Sequence, residues 1–197
     1  MLLGGAHLDI QKLRRETQAD HLAVEGSMPL MEADLTSAQY AACLGRIYGL
    51  VSAGEDRAAV LAPDWLRPTL AARNRADLLK RDLAGFGITT FDSDRPKLLH
   101  IHDTPTLLGS MYVMEGSTLG GQFIARHVQQ VLHLQDGVGT LYFRSHGDHT
   151  GSMWKQFCEV LTQKIPEDQT ETVISSAKQM FAAFGAWVTG KSTANVS

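Results

Sequence analysis

From Thr104 to Leu134 the sequence reads as one long helix, yet the stretch YVMEGSTLGGQ (Tyr112 to Gln122) inside it carries Gly116, Gly120 and Gly121 within six residues. Thr104-Pro105 offers an N-cap followed by proline at the first helical position. Downstream, Phe123, Ile124, His127, Val128, Val131, Leu132 and Leu134 keep an amphipathic pattern. Each interior glycine costs a helix roughly 1 kcal/mol relative to alanine. A fold that retains this helix must therefore use its bare backbone.

The rest of the chain is also written in helical periodicity. A first helix is expected from about Asp9 to Glu25, with Ile10, Leu13, Thr17, His21 and Val24 on the face turned to the core, ended by GSMP. A second opens at Thr36, where Gln39 completes a capping box, and carries Tyr40, Cys43, Ile47 and Val51 inward before Pro63. A third covers Pro68 to Ala84, with Leu70, Leu78, Leu79 and Leu83 as core residues and Gly85 as its stop. Gly85 to Asp103, including DSDRP, reads as loop. The glycine-bearing helix is the fourth. A fifth runs from Gly151 to Lys164, and after Pro166 a sixth ends near Trp187 and Val188. LYFR (Leu141 to Arg144) is the single strand-like patch and has no partner. The expected fold class is all-α, one domain over residues 9–188 with an extension at 1–8 and a frayed tail at 189–197.

At 197 residues the chain suits one core, and no apolar run is long enough for a membrane span. The first residues lack a basic stretch followed by a long apolar core, so a cytoplasmic location is expected. A formal charge of -3 without a basic block argues against a nucleic-acid binder. Cys43 and Cys158 read as buried thiols rather than a disulfide or a metal site. His146, Asp148 and His149 fall in a glycine-containing loop read as solvated surface, and His100 and His102 show no ligand pattern. The paired Glu-x-x-His motifs of a ferritin-like di-metal site are missing.

Two readings of His21 stand side by side. It is a core histidine hydrogen-bonded to Glu25 one turn later, or it is an axial ligand to haem iron with Glu25 fixing its tautomer. A phosphorylatable histidine is disfavoured by the carboxylate at i+4. The glycines also allow two readings. Tyr112, Gly116 and Gly120 share a stripe at i, i+4 and i+8 that suits either a tight helix crossing or a flat ligand lying on bare backbone. His21 on another helix favours the flat ligand.

LRRETQADHLAVE (Leu13 to Glu25) resembles the first-helix motif of the haem oxygenases, and GSTLGGQ (Gly116 to Gln122) resembles their glycine-bearing distal-helix motif. RNRADLLKRDLAGFG (Arg73 to Gly87) is similar to the segment before the family's mid-chain loop. YVMEGSTLGGQ and FRSHGDHTGSMW are similar to bacterial members, particularly those accompanying bacteriophytochromes. The resemblance implies a single-domain, multi-helical haem oxygenase-like bundle that clamps haem between a proximal and a distal helix. It implies oxidative cleavage at a meso carbon to biliverdin, carbon monoxide and ferrous iron. Dioxygen, electrons from a reductase or ferredoxin, and a bacteriophytochrome as biliverdin acceptor are implied with it.

Carried over by position, His21 matches the proximal iron ligand and Glu25 the acidic residue after it. Gly116 and Gly120 match the distal glycines that contact haem. Arg14 and Tyr112 match propionate contacts, and Lys155 aligns with a basic position on a later helix. Where animal members carry aspartate after the first distal glycine, this chain has Ser117, as bacterial relatives often do. That leaves open how protons reach the distal side. Glu115 lies about 100° around the helix and does not take the aspartate's role. Gly121 is assigned to bending or packing. The alternative is a haem-binding protein for storage, delivery or sensing without turnover, and a further one is a related scaffold without haem.

Overall fold

A computed structural model describes residues 7–91 and 94–190. Most of the expected extension at 1–8, the tail beyond residue 190, and Asp92 and Ser93 of the DSDRP loop lie outside the described residues. The elements are α1 (Ile10–Ser27), α2 (Ser37–Leu61), α3 (Arg67–Ala71), α4 (Ala76–Ala84), α5 (Thr104–Val131), α6 (Leu141–Arg144), α7 (Thr150–Lys164) and α8 (Thr170–Val188). Among the described residues there is no strand, only an isolated bridge between His7 and Pro166. Among the described residues no helix is long and apolar enough to cross a membrane.

Local chemistry sets most of the helix starts. Asp9 accepts from the Gln11 amide at 2.8 Å to cap α1. The Thr36–Gln39 capping box opens α2 as expected. On α5 the cap is Asp103, one residue earlier than the sequence suggests: its carboxylate accepts from the Thr106 amide, and Pro105 sits in the first turn.

Two segments differ from the sequence expectation. The single helix expected over Pro68 to Ala84 is two, α3 and α4, broken at Arg73–Arg75. The Glu55 carboxylate of α2 accepts the amides of Arg75 (2.7 Å) and Ala76 (3.1 Å), so a distant side chain caps a new helix where periodicity alone continues the old one. LYFR is not a strand but the short helix α6. The Asp82 carboxylate, fully buried, accepts the amides of Leu141 and Tyr142 at 2.8 Å each and fixes its first turn. A run of four apolar residues cannot distinguish the two states by period.

The core is assembled around α8. Helix α5 packs on it most extensively, and the crossing is close because Gly109 of α5 lies against the Val173 carbonyl, where any Cβ would collide. Ser110 and Ser176 share a hydrogen bond of 3.0 Å there. Helix α1 packs on α8 from another side through a face that buries Leu13 and Thr17.

Candidate active site

Helices α1 and α5 both lie along α8 yet barely meet each other. The space between them is one cleft with two lobes that share His21, Glu25, Gly116, Gly120 and Phe181. The outer lobe, about 630 Å³, is walled by Arg14, Thr17 and His21 of α1 and by Tyr112, Gly116 and Gly120 of α5. The inner lobe continues to Ser117, Gly121, Tyr142 and Phe184. That size suits a ligand pocket, which is typically about 300–1,000 Å³.

The core-facing reading of His21 is corrected. Its side chain is 49% exposed and stands on the cleft wall, edge-on to Phe181 at 5.8 Å between ring centroids. The buried stripe of α1 ends at Thr17, and beyond it His21 and Glu25 line the cleft. Nδ1 of His21 is 3.5 Å from Glu25 Oε2, at the outer limit of a hydrogen bond. With Nδ1 turned to the carboxylate, Nε2 is the nitrogen left for a ligand.

The glycines divide into two kinds. A Cβ on Gly121 would strike the main chain of Phe143, so this glycine is a packing requirement, as its sequence position suggested. A Cβ on Gly120 would meet nothing within 4 Å, and one on Gly116 would make an ordinary 3.6 Å contact with Trp154. The protein's own packing therefore gives no reason for glycine at 116 or 120. A flat group lying between His21 and α5 would give one. Tyr112 is buried at the same wall and packs on Trp154 at 5.3 Å. Haem fits these residues: an imidazole on one wall, bare backbone opposite, aromatic side chains at the floor and arginines at the mouth.

Of the residues singled out from sequence, His21, Glu25, Arg14, Tyr112, Gly116, Ser117 and Gly120 all border the cleft. Lys155 does not join them; it is exposed on α7, next to Trp154, and lines neither lobe. Among the described residues no group of three or more His, Cys, Asp or Glu is arranged to hold a metal ion. Cys43 is buried, Cys158 is half-buried, and both are free thiols. His146 departs from the solvated-surface reading, because its Nε2 is buried without a hydrogen-bond partner.

Sequence reasoning missed a buried ionic cluster behind the distal wall. Glu115 meets Arg73 at 3.1 Å and Arg75 at 3.8 Å, all three almost fully buried. Arg75 also donates to the Met114 carbonyl (2.6 Å) and lies over the Tyr142 ring at 5.3 Å. Burial pushes the Glu115 carboxyl above its usual range, and the two arginines oppose that shift. A signal was present. Arg73 is one turn after Leu70 and Arg75 one turn before Leu79, so each cation shares a helix face with a core leucine.

An all-α domain with a histidine-bearing helix facing a glycine-thinned helix across a cleft has the form that a planar ligand needs. The heme oxygenase family model matches residues 9–190, and the chain belongs to that family. It is 28% identical over 151 residues to a heme oxygenase of Xanthomonas campestris pv. campestris, covering 74% of this chain and 86% of that one. It is 27% identical over 121 residues to the heme oxygenase PigA of Pseudomonas aeruginosa, covering 61% of each. In fold it is similar to a heme oxygenase from Leptospira interrogans (TM-score 0.77, 19% identity, 90% of this chain and 97% of that). It is likewise similar to the NO- and CO-bound heme oxygenase of Neisseria meningitidis (TM-score 0.76, 21% identity, 94% of each).

Proposed function

We propose that the cleft binds haem between α1 and α5 and that the chain cleaves it oxidatively to biliverdin, carbon monoxide and ferrous iron. The observation that carries this reading is the opposition of His21 to Gly116 and Gly120, with open space against Gly120. When bound, haem supplies the iron that activates dioxygen and is itself the ring that is opened.

The chain's own residues place the ring and control water. His21 would offer Nε2 to the iron, and Glu25, 3.5 Å from Nδ1, would orient the imidazole. Gly116 and Gly120 let the backbone of α5 approach the opposite face. Arg14 and Tyr112 stand at the outer lobe, where propionates would leave the cleft. Ser117 borders the inner lobe, whereas Lys155 on α7 stands outside both lobes. Phe181 and Phe184 keep the floor dry, which strengthens polar contacts at the distal side. Electrons come from a separate reductase or ferredoxin in the cytoplasm, and a bacteriophytochrome would accept the biliverdin.

Hemin titration tests the reading. Wild type is expected to give a sharp Soret band that His21→Ala weakens or shifts. With an electron donor and oxygen, biliverdin absorption and free iron are expected. Stable ferrous haem would instead mark a binder without turnover.

A further inference from the structure

The seam between α1 and α8 is pinned on both sides of His21. Before it, Lys12 pairs with Glu171 at 2.5 Å and Glu16 with Lys178 at 3.6 Å. After it, Val24 lies so close to Gly185 that a Cβ there would stand 3.4 Å from its Cγ2. Positions on the two helices advance together through these contacts, so the helices run side by side in one register. In that register His21 falls opposite Phe181, with ring centroids 5.8 Å apart and planes at 87°.

The two neighbours of the imidazole are unequal. Glu25 is 60% exposed, and its carboxylate stands 3.5 Å from Nδ1, where water competes for both groups. An exposed pair of that kind restrains a side chain weakly. Phe181 is buried, belongs to the main core cluster and borders both lobes of the cleft. Its ring is held by the core and cannot swing out to water. Near-perpendicular contact is a favoured arrangement of two aromatic rings. Turning the imidazole about its Cβ–Cγ bond would break that contact. Burial of His21 itself supplies no restraint, because half of its side chain is exposed.

Resting on the haem-binding reading above, we propose that Phe181 is a positioning residue for the iron ligand: it fixes the plane of the His21 imidazole before haem arrives. Glu25 and Phe181 then divide the task. The carboxylate bears on which nitrogen carries the proton, and the phenyl ring sets the direction in which the other nitrogen points. A ring held in advance has little rotational freedom left to lose on binding.

The test needs no haem in its first arm. Residual dipolar couplings of the two ring C–H bonds of His21 are measured by NMR in the haem-free protein. Wild type is expected to give the couplings of one fixed ring. Phe181→Leu is expected to collapse them towards the values of a rotating one, and Phe181→Met, which keeps more of the buried volume, to do the same. Phe181→Tyr is expected to retain them, as are Glu25→Gln and Phe184→Leu, the last removing a neighbouring buried ring of the inner lobe. In the second arm each protein is loaded with hemin and reduced without oxygen, and the iron–histidine stretching band is recorded by resonance Raman. It is expected to broaden in Phe181→Leu and Phe181→Met alone. A rotating ring in wild type, or a ring equally fixed in Phe181→Leu and Phe181→Met, overturns this role and leaves haem binding intact. Couplings lost as fully in Glu25→Gln or Phe184→Leu overturn it too, because the restraint then lies elsewhere. Absence of a Soret band in a wild type whose ring is fixed overturns the haem reading, and with it the purpose assigned to Phe181.

Discussion

Gly121 and Phe143 meet main chain to main chain: the Phe143 carbonyl occupies the space where a Cβ on Gly121 would stand, at well under 3.0 Å. One residue earlier, Gly120 faces open space. Alanine should separate the two. Gly121→Ala must push α6 away and is expected to lower stability by about 1–3 kcal/mol. Gly120→Ala is expected to be neutral or to gain up to roughly 1 kcal/mol through helix propensity. Thermal or urea unfolding of the haem-free protein reads both.

Gly120→Leu extends the contrast to function. Its side chain would project into the cleft rather than the core, so the haem-free protein should fold with near wild-type stability. Hemin affinity is expected to fall by at least about tenfold, the scale of one lost packing interaction. Unchanged hemin affinity and turnover would count strongly against a ring seated on this stripe.

Asp82→Ala tests the anchor of α6. It leaves two amides, those of Leu141 and Tyr142, without their acceptor in a buried site, and a cost of about 2–4 kcal/mol is expected. Because Phe143 and Tyr142 border the inner lobe, hemin affinity should fall together with stability. Paired chemical unfolding and hemin titration of the variant check both.

His100 gives the chain an acid-sensitive contact. Its Nε2 is 3.2 Å from the Ser110 hydroxyl, at the start of the polar line through Ser176 to the Thr106 carbonyl. Burial first, then His102 and Arg57, pushes His100 down from 6.5 to about 4. The folded state therefore binds fewer protons than the unfolded one between those values. The stability it contributes is complete above pH 6.5 and is lost as pH falls towards 4. Allowing for partial exposure, the loss is on the order of 1–2 kcal/mol. In melting experiments across that window, His100→Gln is expected to flatten the slope.

Regular helices were legible because their signals are local. The Thr36–Gln39 box, the 3.6-residue stripes and the glycine stop at Gly85 all act within a turn or two. The α3–α4 break and α6 were not legible, because the groups that make them come from elsewhere. Glu55 caps α4 from twenty residues away, and Asp82 organises α6 from about sixty. The cleft was legible on its two walls, since His21 and the glycine stripe each lie on one helix. Its floor and back were not, since Phe181, Tyr142 and Arg75 converge only in three dimensions. Arg73 and Arg75, each one turn from a core leucine, were the readable trace of that convergence.

The two kinds of glycine also make α5 mechanically uneven. Near one end it is clamped to α8 at Gly109, and at Gly121 it is clamped to α6. Between these points, Ser117, Leu119 and Gly120 are exposed and Gly116 carries no side chain to pack. Amide hydrogen exchange should therefore be slow around Gly109 and faster across residues 116–120, within a single unbroken helix. Hemin should abolish that difference. The helix is thus held at two fixed points like a bridge, and the span between them is completed by what it carries.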